Sequence, residues 1–260
     1  MRFGYCLNLG FLEGDEVSRK ILDAVCASGF DFLELPMFAL TALSPDKLAQ
    51  LKKALSDKGV PCLACNIFFP QSVPIVGPDK DVGEIKAYID KAMAIAKDLG
   101  VETIVFGNGG ARRDATWDEL QTVVKMLDEA AGKNNLSFVI EPLNKKETNT
   151  ILSYTEAVKL AEGAKNVRSM CDWYHTCMEA QTLDDLYEYP DMLGHLHIAY
   201  SKERLIPSPN DDMSFYDDFV KTIKQLGYNN KLSVEGSLRN NNDPAQEIKQ
   251  CLETLKQLFN

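Results

Sequence analysis

The sequence predicts a single closed (β/α)8 barrel, and three observations carry that expectation. Short apolar, strand-like runs alternate with longer amphipathic runs along the chain, the pattern of βαβ units and a parallel sheet. Eight such pairs fit into 260 residues, about 32 residues each, which suits a closed barrel. The turn after the first strand, Asn8-Leu9-Gly10-Phe11-Leu12, lacks the Gly-rich dinucleotide turn that an open doubly wound sheet would carry.

Each element has a local reason. Strand 2–7 leads to helix 15–28, closed by Gly29. Strand 31–35 is followed by a helix that opens at Ser44-Pro45-Asp46, with an N-cap residue and Pro in the first position. Strand 62–67 precedes helix 81–99, which ends at Gly100. Strand 103–106 pairs with helix 116–131, strand 136–141 with helix 154–163, and strand 167–171 with a short helix around 183–187. Strand 193–198 pairs with helix 215–226. Strand 231–235 is followed by a last helix that Asp243-Pro244 caps and that reaches residue 258.

Bulk composition narrows the function classes. Hydrophobic content of 45% and charged content of 25% are ordinary for a globular protein with one large core. No composition shift or linker marks a boundary, so residues 1–260 are expected to form one domain. No run approaches the length of a membrane span, and the N-terminus has no secretory h-region. The net charge of −10, without a basic stripe, argues against nucleic-acid partners. Seven scattered cysteines fit buried thiols in a reducing cytoplasm better than a disulfide framework. Cys62 and Cys65 form a C-x-x-C inside one apolar strand, where core packing is the expected role.

In such a barrel the site forms at the C-terminal strand ends. Strand five ends in Glu141, strand six in Asp172 and strand eight in Glu235, and strand seven carries His195 and His197 on one face. Carboxylates that follow apolar, β-rich residues are costly to bury alone. Three of them and an imidazole converging on one mouth call for a divalent cation, and the mixed oxygen and nitrogen set suits Mn²⁺, Co²⁺, Zn²⁺ or Mg²⁺. Glu34 and Asn66, near the ends of strands two and three, either line the pocket or satisfy local backbone groups. Trp173, Phe68 and Phe69 offer either an apolar wall for a sugar face or ordinary packing. Gly107-Asn108-Gly109-Gly110-Ala111-Arg112-Arg113, with Lys202, Arg204 and Arg239, either serves an acidic or phosphorylated ligand or is a flexible loop with solvated charges.

The run Glu141-Pro-Leu-Asn-x-x-Glu147, then Asp172-x-x-His175, His195-Leu-His197 and Val-Glu235 resembles the sugar-epimerase branch of the xylose-isomerase-like TIM-barrel superfamily, in particular the D-tagatose and D-psicose 3-epimerases. The resemblance follows strand order over essentially the whole chain. It implies one divalent metal, manganese first, held by Glu141, Asp172, His197 and Glu235. It also implies that Glu141 and Glu235 act from opposite sides of a ketose carbon, and that Glu147 and His175 bind substrate. The family's arginine, six residues past the metal histidine, falls here on Glu203; Arg204, one further on, is the candidate substrate-binding residue. With the imidazole assigned to His197, His195 is expected to be structural rather than a ligand, and it could orient a neighbouring group.

The implied activity is metal-dependent isomerisation or epimerisation of a sugar or sugar derivative, through proton abstraction next to a carbonyl and an enediolate. The alternative on the same scaffold is a lyase or dehydratase of the inosose or 3-oxo-glycoside type. An endonuclease IV-like enzyme would need further histidines on strands three and four, where Asn66 and Gly107-Asn108 stand instead. A non-catalytic binding subunit is the remaining class. The expected partner is a small carbohydrate, in the cytoplasm, and the resemblance implies a homodimer or homotetramer.

Overall fold

The computed structural model describes residues 1–201, 203–240 and 243–260. Eight parallel strands close a barrel in sequence order: β1 (Arg2–Cys6), β2 (Phe32–Pro36), β3 (Cys62–Asn66), β4 (Thr103–Phe106), β5 (Ser137–Ile140), β6 (Val167–Asp172), β7 (Leu193–Ile198) and β8 (Lys231–Val234). Closure is made by β1 against β8, with Arg2 opposite Lys231 and Tyr5 opposite Val234.

The outer layer comprises α1 (Glu16–Ser28), α2 (Met37–Ala42), α3 (Pro45–Lys58), α4 (Val82–Leu99), α5 (Trp117–Asn134), α6 (Tyr154–Leu160), α7 (Trp173–Met178), α8 (Asp184–Glu188), α9 (Asp217–Gln225) and α10 (Pro244–Phe259). Most predicted helix starts are where side chains meet orphan backbone N–H groups; one exception is Asp243, which precedes Pro244 of α10 but makes no side-chain cap bond. Asp15 accepts from Val17 and Ser18, Ser44 from Lys47, and Asp81 from Gly83 and Glu84. Thr116 with Glu119, and Ser153 with Glu156, form reciprocal capping boxes. Gly29 and Gly100 end their helices with φ of 88° and 76°, a conformation that other residues adopt at a cost. The sequence pattern missed α2 and α7. Both span six residues, too few for a 3.6-residue period to register.

Strand alternation builds two cores. Leu33, Leu35, Ile104, Phe106, Phe138, Ile140, Leu196, Ile198, Leu232 and Val234 point outward into the large cluster beneath the helices. Val105, Val139 and Met170 form a separate buried cluster. Glu34 on β2 reaches His195 and His197 on β7, and these strands are not sheet neighbours, so the contact crosses the barrel lumen. Phe32, two residues before Glu34, fills the lumen beside Gly4, where an added Cβ would come 2.2 Å from the ring. Between Leu193 and Leu196, β7 holds one residue more than β6 does between Ser169 and Cys171. This bulge packs Gly194 against Val139, leaving only 2.5 Å for a Cβ.

At the opposite, N-terminal end, Glu102 accepts from Arg2 Nη2 at 2.8 Å and from Lys231 Nζ at 2.7 Å. Cys62 and Cys65 are both buried with their sulfurs 4.0 Å apart, and Cys65 lies in the outer core as expected. Among the described residues no helix is long and apolar enough to cross a membrane.

Candidate active site

The strand ends deliver the four candidate ligands to one mouth. Glu141 follows β5, its N–H donating to the Phe106 carbonyl, and Glu235 follows β8, its N–H donating to the Ile198 carbonyl. Asp172 ends β6 and caps α7 through the Tyr174 N–H at 2.7 Å. One candidate ligand atom from each of Glu141, Asp172, His197 and Glu235 lies within 4.8 Å of the other three. His197 Nδ1 is 3.1 Å from Glu235 Oε2 and 3.3 Å from Glu141 Oε1. Glu141 Oε1, Asp172 Oδ2 and His197 Nδ1 are buried and have no hydrogen-bond partner. Buried polar atoms are rarely left so. This donor set, three carboxylates and one imidazole, fits a divalent ion.

The walls hold these groups in place. An added Cβ at Gly107 would fall 1.8 Å from Glu141 Oε2, so only glycine leaves room for that carboxylate. Arg112 is fully buried and clamps two backbone carbonyls, Phe106 at 3.0 Å and Glu141. The Gly-rich loop therefore supplies a brace for β4 and β5 through Arg112, while Arg113 donates to the Lys146 carbonyl at 3.3 Å. Nor is Arg239 free for a ligand, since it binds Asp211 at 2.5 Å and the Ile206 carbonyl at 2.6 Å. Lys202 lies outside the described residues.

The candidate substrate-binding residues converge on the same mouth. His175 Nε2 lies 3.5 Å from Asp172 Oδ2. The Asn144 N–H donates to His175 Nδ1 at 3.3 Å, which leaves the ring proton on Nε2, facing the ligands. Glu147 accepts from Asn144 Nδ2 at 3.1 Å. Arg204 has φ of 53° and extends over the Tyr174 ring, 4.8 Å from its centroid. Its guanidinium donates to Glu235 Oε2 at 2.5 Å and lies 3.6 Å from both Asp172 and Glu147. The one-residue offset from the family arginine thus still delivers an arginine to the site. Asn66 lines the pocket, donating to Glu235 Oε1 at 3.1 Å.

Asn66, Glu141, Glu147, His175, Arg204 and Glu235 border a cavity of about 300 Å³ together with Ile67, Leu143 and the 107–110 loop. Ile67, 38% exposed with φ of 44°, is an apolar side chain on this cavity's wall. Trp173 instead stacks on Phe219, and Phe68 and Phe69 pack on Tyr88 and neighbouring rings.

The electrostatics separate the two glutamates. Burial pushes Glu141 up to about 7. Glu235 is half-buried, and desolvation there also opposes its charge, yet Arg204 and His197 outweigh that and hold it down at about 2. Divergent environments of this kind are how carboxylate pairs acquire distinct acid and base roles. Beneath them, burial opposes the charge of Glu34, and His197 and His195 overcome it, holding its carboxyl well below the usual range. Glu34 is thus a functional candidate whose role the sequence left open. The available signal was a lone carboxylate inside Phe32-Leu33-Glu34-Leu35, four residues that are all fully buried.

The model of the xylose isomerase-like TIM barrel family matches residues 22–258. A D-psicose 3-epimerase of Enterocloster bolteae is 25% identical over 213 residues, 73% of this chain and 67% of that protein. A probable ketose 3-epimerase of Synechocystis is 20% identical over 80% of this chain and 74% of its own length. Among solved structures, the 3-keto-D-glucoside 4-epimerase of E. coli superposes with a TM-score of 0.78 at 21% identity, covering 99% of both chains. The D-psicose 3-epimerase of Clostridium cellulolyticum gives a TM-score of 0.79 at 18% identity, covering 100% of this chain and 99% of the other. With the closed barrel, the strand-end acids and a family match over nearly its full length, the chain belongs to the xylose isomerase-like TIM barrel family.

Proposed function

We propose that this protein is a divalent-metal-dependent epimerase or isomerase of a sugar or sugar derivative, acting by proton transfer next to a carbonyl. The observation that carries the reading is the set of buried, unpartnered atoms, Glu141 Oε1, Asp172 Oδ2 and His197 Nδ1, with Glu235 beside them. The 3-epimerase names of the relatives support the substrate class.

Glu141, Asp172, His197 and Glu235 would hold the ion, for which Mn²⁺ suits the mixed oxygen and imidazole donors. Bound there, it would supply Lewis acidity at the substrate carbonyl and its neighbouring hydroxyl. Of the two glutamates, the ionised one accepts the proton from the carbon beside the carbonyl, leaving the substrate as an enediolate. The protonated one returns a proton from the opposite face, and the centre inverts. Return to the neighbouring carbon instead exchanges aldose and ketose. His175 Nε2–H, Glu147 and Arg204 face the same cavity and would orient the substrate oxygens, and Ile67 would meet a C–H face.

The test is solvent deuterium exchange. The Mn²⁺-loaded protein is incubated in D2O with ketoses, aldoses, sugar phosphates and inososes, stripped of metal, and followed by NMR. Deuterium next to a carbonyl, with an epimer or isomer as product, is the expected result. Exchange accompanied by elimination would replace the epimerase reading with the lyase. Glu141→Gln and Glu235→Gln should each abolish exchange while the barrel still folds; substantial activity in either would overturn the two-glutamate mechanism.

A further inference from the structure

The lumen directly beneath the candidate ligands contains a closed set of hydrogen bonds that the proton-transfer chemistry does not use. Glu34, His195, His197 and Ser233 are all fully buried. Glu34 Oε1 lies 2.9 Å from His197 Nε2, and Glu34 Oε2 lies 2.9 Å from His195 Nε2. Ser233 Oγ also donates to Oε2, at 2.6 Å. An ionised carboxylate only accepts, so each imidazole must present an N–H to it. Both Nε2 atoms therefore carry protons, and on His197 the other nitrogen, Nδ1, faces the three carboxylates.

We propose that Glu34, with His195 and Ser233 holding its second oxygen, is a positioning residue that fixes His197 in the form able to bind metal through Nδ1. The proposal rests on the metal reading given above for the need, but its geometry does not depend on it. Glu34 acts on the ring in two ways. It locks the proton on Nε2, and it aims the ring across the lumen from β2 to β7. His195 and Ser233 leave the carboxylate no freedom to turn away, because both oxygens are engaged. The register shift of β7 against β6 falls between Leu193 and Leu196, the stretch that holds His195. Cys6 also approaches Glu34 and His197 to within 4.8 Å.

Glu34→Gln keeps the volume and replaces one acceptor oxygen by an NH2 donor. That donor faces an Nε2–H, so one histidine must move its proton to Nδ1 or turn away. If the histidine is His197, the metal-facing nitrogen is blocked. Outer partners of a ligating histidine are worth roughly 10–100-fold in metal affinity, and a loss of that order is expected on titrating Mn²⁺ into the Glu34→Gln protein and reading free Mn²⁺ by EPR. His195→Phe, which removes one of the two donors to Glu34 Oε2 and leaves Ser233, should give a smaller loss. Wild-type Mn²⁺ affinity in a folded Glu34→Gln protein would overturn the proposal.

A second readout needs neither a variant nor metal. The chain has three histidines, so long-range ¹H–¹⁵N spectra of ¹⁵N-histidine-labelled wild type can be assigned directly. Slowly exchanging Nε2–H protons on His195 and His197 are expected, and an unprotonated Nε2 on either would sink the arrangement. If the protons are present but the wild type binds no Mn²⁺, the metal reading fails and the hydrogen-bond assignment stands.

Discussion

At the scale of single residues, the site depends on close approaches as much as on charges. Gly107→Ala places a methyl group where Glu141 Oε2 lies. The carboxylate must move by an ångström or more, and misplacement of that size costs on the order of 100-fold in rate. We expect deuterium exchange to fall by that order while the circular dichroism spectrum is unchanged. The strand-end acids were legible because each follows an apolar run and topology fixes which end of a strand carries chemistry. The partner of His195 was not, since Glu34 lies 161 residues away in the chain and meets it only across the lumen. Arg112 and Arg113 are adjacent and alike in sequence. That one is fully buried and the other turned outward follows from the path of the loop, which residue type does not encode.

At the scale of elements, the helix starts do double duty. Thr116 and Glu119 cap α5, and Glu119 also receives the Gly77 N–H at 2.9 Å and Lys80 Nζ at 2.6 Å. The capping box thus pins the segment that joins β3 to α4. Thr116→Ala should lower stability by about 1 kcal/mol, read as a shifted urea midpoint at unchanged slope. A loss no larger than that of an exposed mid-helix substitution would show that the box contributes little. Strands and long helices were readable because their periods repeat over enough residues. The short α7 was hidden because its cap is Asp172, a residue whose position already pointed to metal chemistry.

At the scale of the whole molecule, the two ends of the barrel carry different electrostatics. The mouth gathers carboxylates, while the floor is closed by Glu102 between Arg2 and Lys231. The Arg2 contact leads in holding Glu102 at about 2, against an ordinary value of 4.5, with Lys231 adding to it. A carboxylate depressed by folding contributes stability that is fully present above its unfolded value and disappears as pH falls through the folded one. The floor should therefore weaken between about pH 4.5 and pH 2. Glu102 is partly exposed, so the effect is screened by salt. In Glu102→Gln, thermal midpoints should fall less steeply across that window than in wild type; parallel curves would assign the acid sensitivity elsewhere.

The tie between β2 and β7 also bears on how the chain is made. Glu34 emerges from the ribosome early, whereas its three partners, His195, His197 and Ser233, follow 161 to 199 residues later. The first strand likewise waits for the eighth before its free edge is covered. Until residue 234 is outside the exit tunnel, the nascent barrel carries a carboxylate without its partners and an open edge. Completion of the lumen thus waits for the eighth strand, and the interval before it is when this protein most needs protection from association with other chains.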